Sequence, residues 1–167
     1  LVGATRSSSP PRVSLIDLVS PVFALAEQRS SAGDPIAENR AAILVLAGYV
    51  VGQSLVPIVP EARTWDRPRR LGVRLAGRDD LAKHFIVSAV LSANTGGPFA
   101  DAVGIYKEIA DSRGGSGFSF SDVAADRAGS RLGTLAEHQA TASRLQRQLA
   151  SPLTETSLMP SIVDLPD

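Results

Sequence analysis

The 167-residue chain contains no cysteine, which excludes disulfides, thiolate nucleophiles, iron–sulfur clusters and every cysteine-based zinc site together. Its only histidines are His84 and His138, so a three-histidine zinc centre is excluded too, and no H-E-x-x-H stretch occurs. Aromatic residues are scarce, at 5%, while alanine, leucine, valine and glycine abound, a balance that favours helices packed through small side chains over a β-sandwich. Charge of either sign is not in excess: the formal net charge is zero. No global field therefore draws the chain to nucleic acid, and no recognition helix or RNA-binding motif accompanies its arginines, so nucleic acid is not an expected partner. Long apolar runs are missing as well. The most apolar stretch, AAILVLAGYVV at 41–51, has about half the length that a membrane span needs and follows Glu38, Asn39 and Arg40, so a buried helix is expected there and not a transmembrane one. The chain opens at Leu1 with no charged-then-apolar leader in view, an arrangement expected if processing or truncation has removed upstream residues.

What is present is a 44% apolar chain of a size that buries a core as one domain without a covalent staple. The expected fold is all-α: a bundle of about five to six helices with close glycine- and alanine-mediated packing and an extended C-terminal strap. Residues 1–12, rich in serine and proline, are expected to be a flexible lead-in. Residues 13–150 then form the helical domain, and 151–167 an extended tail packed on it through Leu158, Met159, Ile162 and Leu165. Proline at a first helical position, after a capping residue, marks three starts: Ser20-Pro21, Asp34-Pro35 and Gly97-Pro98. These predict helices over 21–29, over 35–51 with Ile36, Ile43, Ala47 and Val50 on one stripe, and over 99–112. A further helix is expected from Asp79 or Asp80 to about Asn94, stopped by NTGG, and another from near Ser119 to at least Gly133. LAEHQATASRLQRQLA either extends the last of these or makes a sixth helix with Leu145 and Leu149 inward.

The stretch RTWDRPRRLGVRLAGR gathers arginines around Trp65. Arg67, Arg69, Arg70 and Arg74 form a candidate anion-binding patch for phosphate or lipid headgroups, because guanidinium forks match phosphate oxygens and tryptophan suits an interface. A solvated loop with arginine stems lying on the core explains the same residues and is the preferred reading.

The richest stretch is KEIADSRGGSGFSFSDVAADRAGSRLG, 107–133. With Ser119 as N-cap, Asp122 falls at the third helical position, where it can reach back to the Ser119 N–H, and Phe118 can staple onto Val123. At about 100° per residue Asp122, Asp126, Gly129 and Gly133 share one narrow stripe. Two glycines on it permit close approach of another helix, so the stripe faces the bundle and its carboxylate needs a partner. The preceding helix aligns Gly104, Lys107, Glu108 and Asp111; the one before aligns Asp80, His84 and Val87, with Ser88 a turn beyond His84. Three helices thus aim polar groups at one volume. A functional reading makes His84, Glu108, Asp111 and Asp126 a catalytic set, either around a divalent cation or as a histidine–acid pair for proton transfer. A structural reading makes Asp80, Ser88, Lys107, Ser119 and Asp122 part of a network and cap that fixes helix register, and it is the preferred one. GGSGF is not a G-x-S-x-G elbow, and neither a phosphate-binding loop nor a dinucleotide fingerprint occurs.

DLAKHFIVSAVLS followed by GIYKEIADSRGGSGFSFSDVAADRAGSRLG resembles the YfiM-type family of small lipoproteins of Gram-negative bacteria. The matching residues are Asp80, His84, Phe85, Ser88, Lys107, Glu108, Asp111, Ser112, Arg113, Ser119, Asp122, Asp126 and Gly129, all within 80–133, about a third of the chain. The resemblance implies a helical protein of the periplasm or outer membrane, with an envelope protein or a lipid as partner and no particular activity. The family's lipid-anchoring cysteine has no counterpart here, and 13–78 would be an added helical layer.

Overall fold

A computed structural model describes residues 11–93 and 119–163. The expected helix over 99–112, Phe118, Leu165 and most of the lead-in lie outside those residues. The described part is mostly helical, and each helix start has a local cause.

Helix α1, Leu15–Ser30, begins at Ser14, whose side chain meets the third helical N–H while Asp17 reaches back to the Ser14 N–H at 3.1 Å. That reciprocal cap outweighs the proline signal, so Pro21 lies inside α1 and does not open it. Its ring withholds one N–H from the helical ladder and fixes φ at a helical value, a local loss that the buried face of Leu15, Val19, Phe23 and Ala26 offsets. Helix α2, Pro35–Val51, starts as read: Asp34 accepts from the Ile36 N–H at 2.9 Å, proline takes the first turn, and Gly52 closes it with φ of 85°. Its apolar run is buried through Ile43, Leu46 and Ala47, and among the described residues no helix is long and apolar enough to cross a membrane.

The lead-in does not run to residue 12. Arg12–Ser14 forms β1, which pairs in parallel with β2, Gly72–Arg74, in the register Val13 to Val73. The pair lies at the mouths of two helices, since β1 runs into α1 and β2 leads through a tight turn into α3, Asp79–Ser92. In that turn Ala76 has φ of 49° and Gly77 of 74°, the left-handed pair that a two-residue hairpin turn requires.

Helix α4, Phe120–Glu137, packs along α3 more extensively than any other described pair of elements. A break at His138, whose carbonyl receives both the Thr141 and Ala142 N–H groups, separates it from α5, Ala142–Ala150. Sixteen residues of ambiguous reading are thereby resolved into two helices, with Leu145 and Leu149 inward as expected. The tail is not wholly extended: Glu155–Leu158 winds into a single turn, α6, capped by Thr154 and Ser157. Its Met159 is buried, and Leu153, Leu158 and Ile162 rest on the core. Glu155 supplies the clasp, accepting from Ser14 Oγ at 2.6 Å and from the Ala76 N–H at 3.0 Å, so one carboxylate ties the tail to both strand ends.

Two buried amides sew the bundle. Asn39 donates from Nδ2 to the carbonyls of Ala136 and Ala142 at the α4–α5 break. Gln146 donates to Ser30 Oγ and the Pro35 carbonyl, joining α5 to the α1–α2 turn. Because buried amides are costly when unpaired, these bonds specify how the helices seat.

Candidate functional site

The stripe on α4 does face α3. A methyl group on Gly129 would overlap the Phe85 carbonyl oxygen, and one on Gly133 would overlap the carbonyl of Ala89. Backbones this close leave no room for any Cβ at those two points. One and two turns earlier on the same stripe stand Asp126 and Asp122, and the polar groups of α3 meet them there.

His84 lies between the two carboxylates. Its Nδ1 is 3.1 Å from Asp126 Oδ1, and its Nε2 is 3.6 Å from Asp122 Oδ2. At the shorter contact Nδ1 carries the proton, since a carboxylate only accepts; as imidazolium the ring donates at both ends. Ser88 Oγ donates to the same Asp126 oxygen at 2.8 Å. Hydroxyl and imidazole therefore converge on one acceptor. In a serine–histidine–acid relay the hydroxyl must instead bond the ring, so that the ring can take its proton; the described contacts are those of a clamp on Asp126.

Arg78, just before α3, extends this cluster. It makes a two-pronged contact with Asp80, at 2.6 and 3.1 Å, and its Nη2 comes within 3.5 Å of Asp122 Oδ1. The latter separation permits charge attraction, yet Asp122 Oδ1 is buried without a hydrogen-bond donor among the described residues. The Arg78 hydrogen bond is the main reason the Asp80 carboxyl sits below the usual carboxylate range, its partial burial acting in the opposite direction. Asp80 thus answers Arg78 and the Leu81 N–H, and not His84.

Asp122 also departs from its expected role. Ser119 Oγ accepts from the Asp122 N–H at 3.4 Å, but the Asp122 carboxylate turns to His84 and Arg78 and forms no reciprocal bond to the cap. Lys107, Glu108 and Asp111 lie outside the described residues. The cluster is not sealed: the His84 side chain is 24% exposed and that of Asp126 44%, against 18% for Asp122. Among the described residues no group of three or more histidine, aspartate and glutamate side chains is placed to hold a metal ion.

The arginine segment divides in two. Arg70 donates to the Tyr49 carbonyl at 3.0 Å and lies 5.6 Å from the centre of its ring, while Arg74 binds Asp79 at 2.6 Å. Arg67 and Arg69 are exposed, as is Trp65 at 51%, and the Arg69 carbonyl accepts from Tyr49 Oη. Sequence reasoning passed over Arg78 as one more member of this segment. Its signal was there in R-D-D, a cation directly before two acids at a helix start.

Compared with known proteins, the chain matches no family model, and neither a curated protein nor a solved structure matches it.

Proposed function

We propose that the chain is a helical cell-envelope protein with a scaffolding or partner-binding role, and that the His84 cluster is the clamp that locks α3 onto α4. The observation supporting the clamp is that both ring nitrogens of His84 face carboxylates while Ser88 bonds Asp126 directly. A ring held between carboxylates on one helix ties that helix to its own. The envelope location and an envelope protein or lipid as partner rest on the resemblance of 80–133 to the YfiM-type family.

A second reading is a hydrolase acting by acid–base or divalent-cation chemistry on a lipid or cell-wall substrate, through His84, Glu108, Asp111 and Asp126. The exposure of Asp126 favours it, since a partly open carboxylate is reachable by a ligand. A third, an anionic lipid-headgroup module, draws on Trp65 with Arg67 and Arg69.

Paired measurements separate the first two. Under the clamp reading His84→Ala and Asp126→Ala each lower the melting temperature, and calorimetric titration with magnesium, calcium, manganese or zinc gives no saturable heat. Saturable uptake of one of these cations that Asp126→Asn abolishes at unchanged melting temperature would overturn the clamp. Fractionation of Gram-negative cells expressing the full-length gene checks location, and a purely cytosolic product would contradict the envelope assignment. Liposome flotation with Arg67→Glu and Arg69→Glu tests the third reading.

A further inference from the structure

On the opposite side of α4 from the glycine stripe, α4, α5 and the tail enclose an open groove of about 1170 Å³. Its floor is largely apolar, with Leu132, Leu145, Leu149 and Met159 buried and Leu135 and Leu153 half-buried along it, while Gln148 and the hydroxyls of Ser151, Thr156 and Ser157 add neutral polar groups to the walls. This space is somewhat larger than pockets that hold drug-sized ligands, typically about 300–1,000 Å³, and so has room for a long chain. Among the described lining residues only two are charged, and both are arginines: Arg127 and Arg131. They stand one helical turn apart on the same face of α4, both exposed, and among the described residues neither has a hydrogen-bond or ion-pair partner.

This distribution of charge selects the occupant. An acidic amphipathic helix carries its charges along its length and asks for cations spaced along the groove. Here the positive charge is gathered at one place and the remaining lining is neutral, the pattern that suits a single anionic head on a long apolar chain. Two guanidiniums a turn apart converge on one carboxylate with charge-assisted hydrogen bonds, and a carboxylate accepts from both.

We propose that this groove binds a long-chain fatty acid, with its carboxylate between Arg127 and Arg131 and its chain laid against the leucines of α4 and α5 and against Met159. The third wall is the tail, which the Glu155 clasp holds in place. The site is separate from the His84 cluster and stands or falls without it.

The test is fluorescence enhancement of cis-parinaric acid by the purified full chain, followed by its displacement. Palmitate is expected to displace the probe, and hexadecanol, of equal chain length with a neutral head, to do so about tenfold less well or worse. The double variant Arg127→Gln, Arg131→Gln is expected to keep the parent melting temperature and to bind palmitate no better than hexadecanol. Leu135→Gln, on the half-buried wall, should weaken both ligands alike. The proposal is overturned by absence of probe enhancement, by equal competition from palmitate and hexadecanol against the parent protein, or by a double variant that retains the parent's preference for palmitate. An acidic amphipathic peptide displacing the probe better than palmitate overturns it in favour of a protein occupant.

Discussion

The seam between α3 and α4 has two ends that hold by different means. At one end Gly129 and Gly133 bring backbone against backbone over Phe85 and Ala89, with the Cβ of Ser92 also close beside Gly133. At the other, Asp122 and Asp126 meet His84, Ser88 and Arg78 through charge and hydrogen bonds, partly open to water. The dry end is intolerant in geometry: a single added carbon collides with a carbonyl that belongs to a helix and cannot turn aside. The wet end is tolerant in geometry but specific in chemistry, because its side chains can shift while each donor still requires an acceptor. The first already resists sliding, since a shift in register would bring a residue with a Cβ onto the same carbonyls. The second adds a chemical check on register, since His84 and Ser88, one turn apart, both engage a single oxygen of Asp126.

The strongest test of this contrast is Gly129→Ala. Overlap with a backbone carbonyl forces α3 and α4 apart, and a loss of about 3 kcal/mol or more is expected, read as the shift of a chemical denaturation midpoint. If the variant matches the parent in stability, the dry end is not the tight contact described. Asp126→Ala comes next. It strips acceptors from both His84 and Ser88, and because the carboxylate is partly exposed the expected loss is about 1–2 kcal/mol. A double-mutant cycle with His84→Ala should return a positive coupling energy, whereas strict additivity would detach the ring from the carboxylate. Ser88→Ala removes one hydrogen bond of the shared pair and is expected to cost about 1 kcal/mol or less by the same midpoint measurement.

The smallest expected effect concerns acid. Asp80 has its folded-state pKa lowered, chiefly by the Arg78 hydrogen bond. Its contribution to stability is therefore full above the ordinary aspartate range near 3.8 and is lost as pH falls through the lower folded value. Asp80→Asn should flatten the acid limb of the stability profile below about pH 4 and lower neutral stability by the same amount, a small one because the pair lies at the surface. Gly129→Ala, in contrast, should shift stability equally at every pH. A variant at position 129 whose effect depended on pH would blur the distinction between the two ends.

Particular residues explain how much of this could be read beforehand. The stripe Asp122, Asp126, Gly129 and Gly133 was legible because it depends only on the helical repeat, and glycine on a carboxylate-bearing stripe already implied a close neighbour. The α2 boundaries were legible for a similar reason: Asp34, Pro35 and Gly52 act on the turn they occupy. Pro21 misled because proline opens helices more often than it sits within them, although S-L-I-D at 14–17 held the competing cap. The parallel pairing of Val13 with Val73 left no trace in either three-residue strand, since such pairing is decided by what lies between them. Nor could Glu155 be foreseen as the clasp, its two donors standing 141 and 79 residues away.

Sequence alone determined the helical class, the stripe on α4 and the exclusion of cysteine and three-histidine chemistry, because these follow from composition and from interactions within a few residues. Tertiary structure alone decided that both ring nitrogens of His84 face acids, that Asp122 leaves its cap for Arg78 and His84, and that Arg127 and Arg131 overlook an apolar groove. Those are matters of distance between separate helices, and distance between helices is set by how their buried faces interlock, a property that no single segment carries.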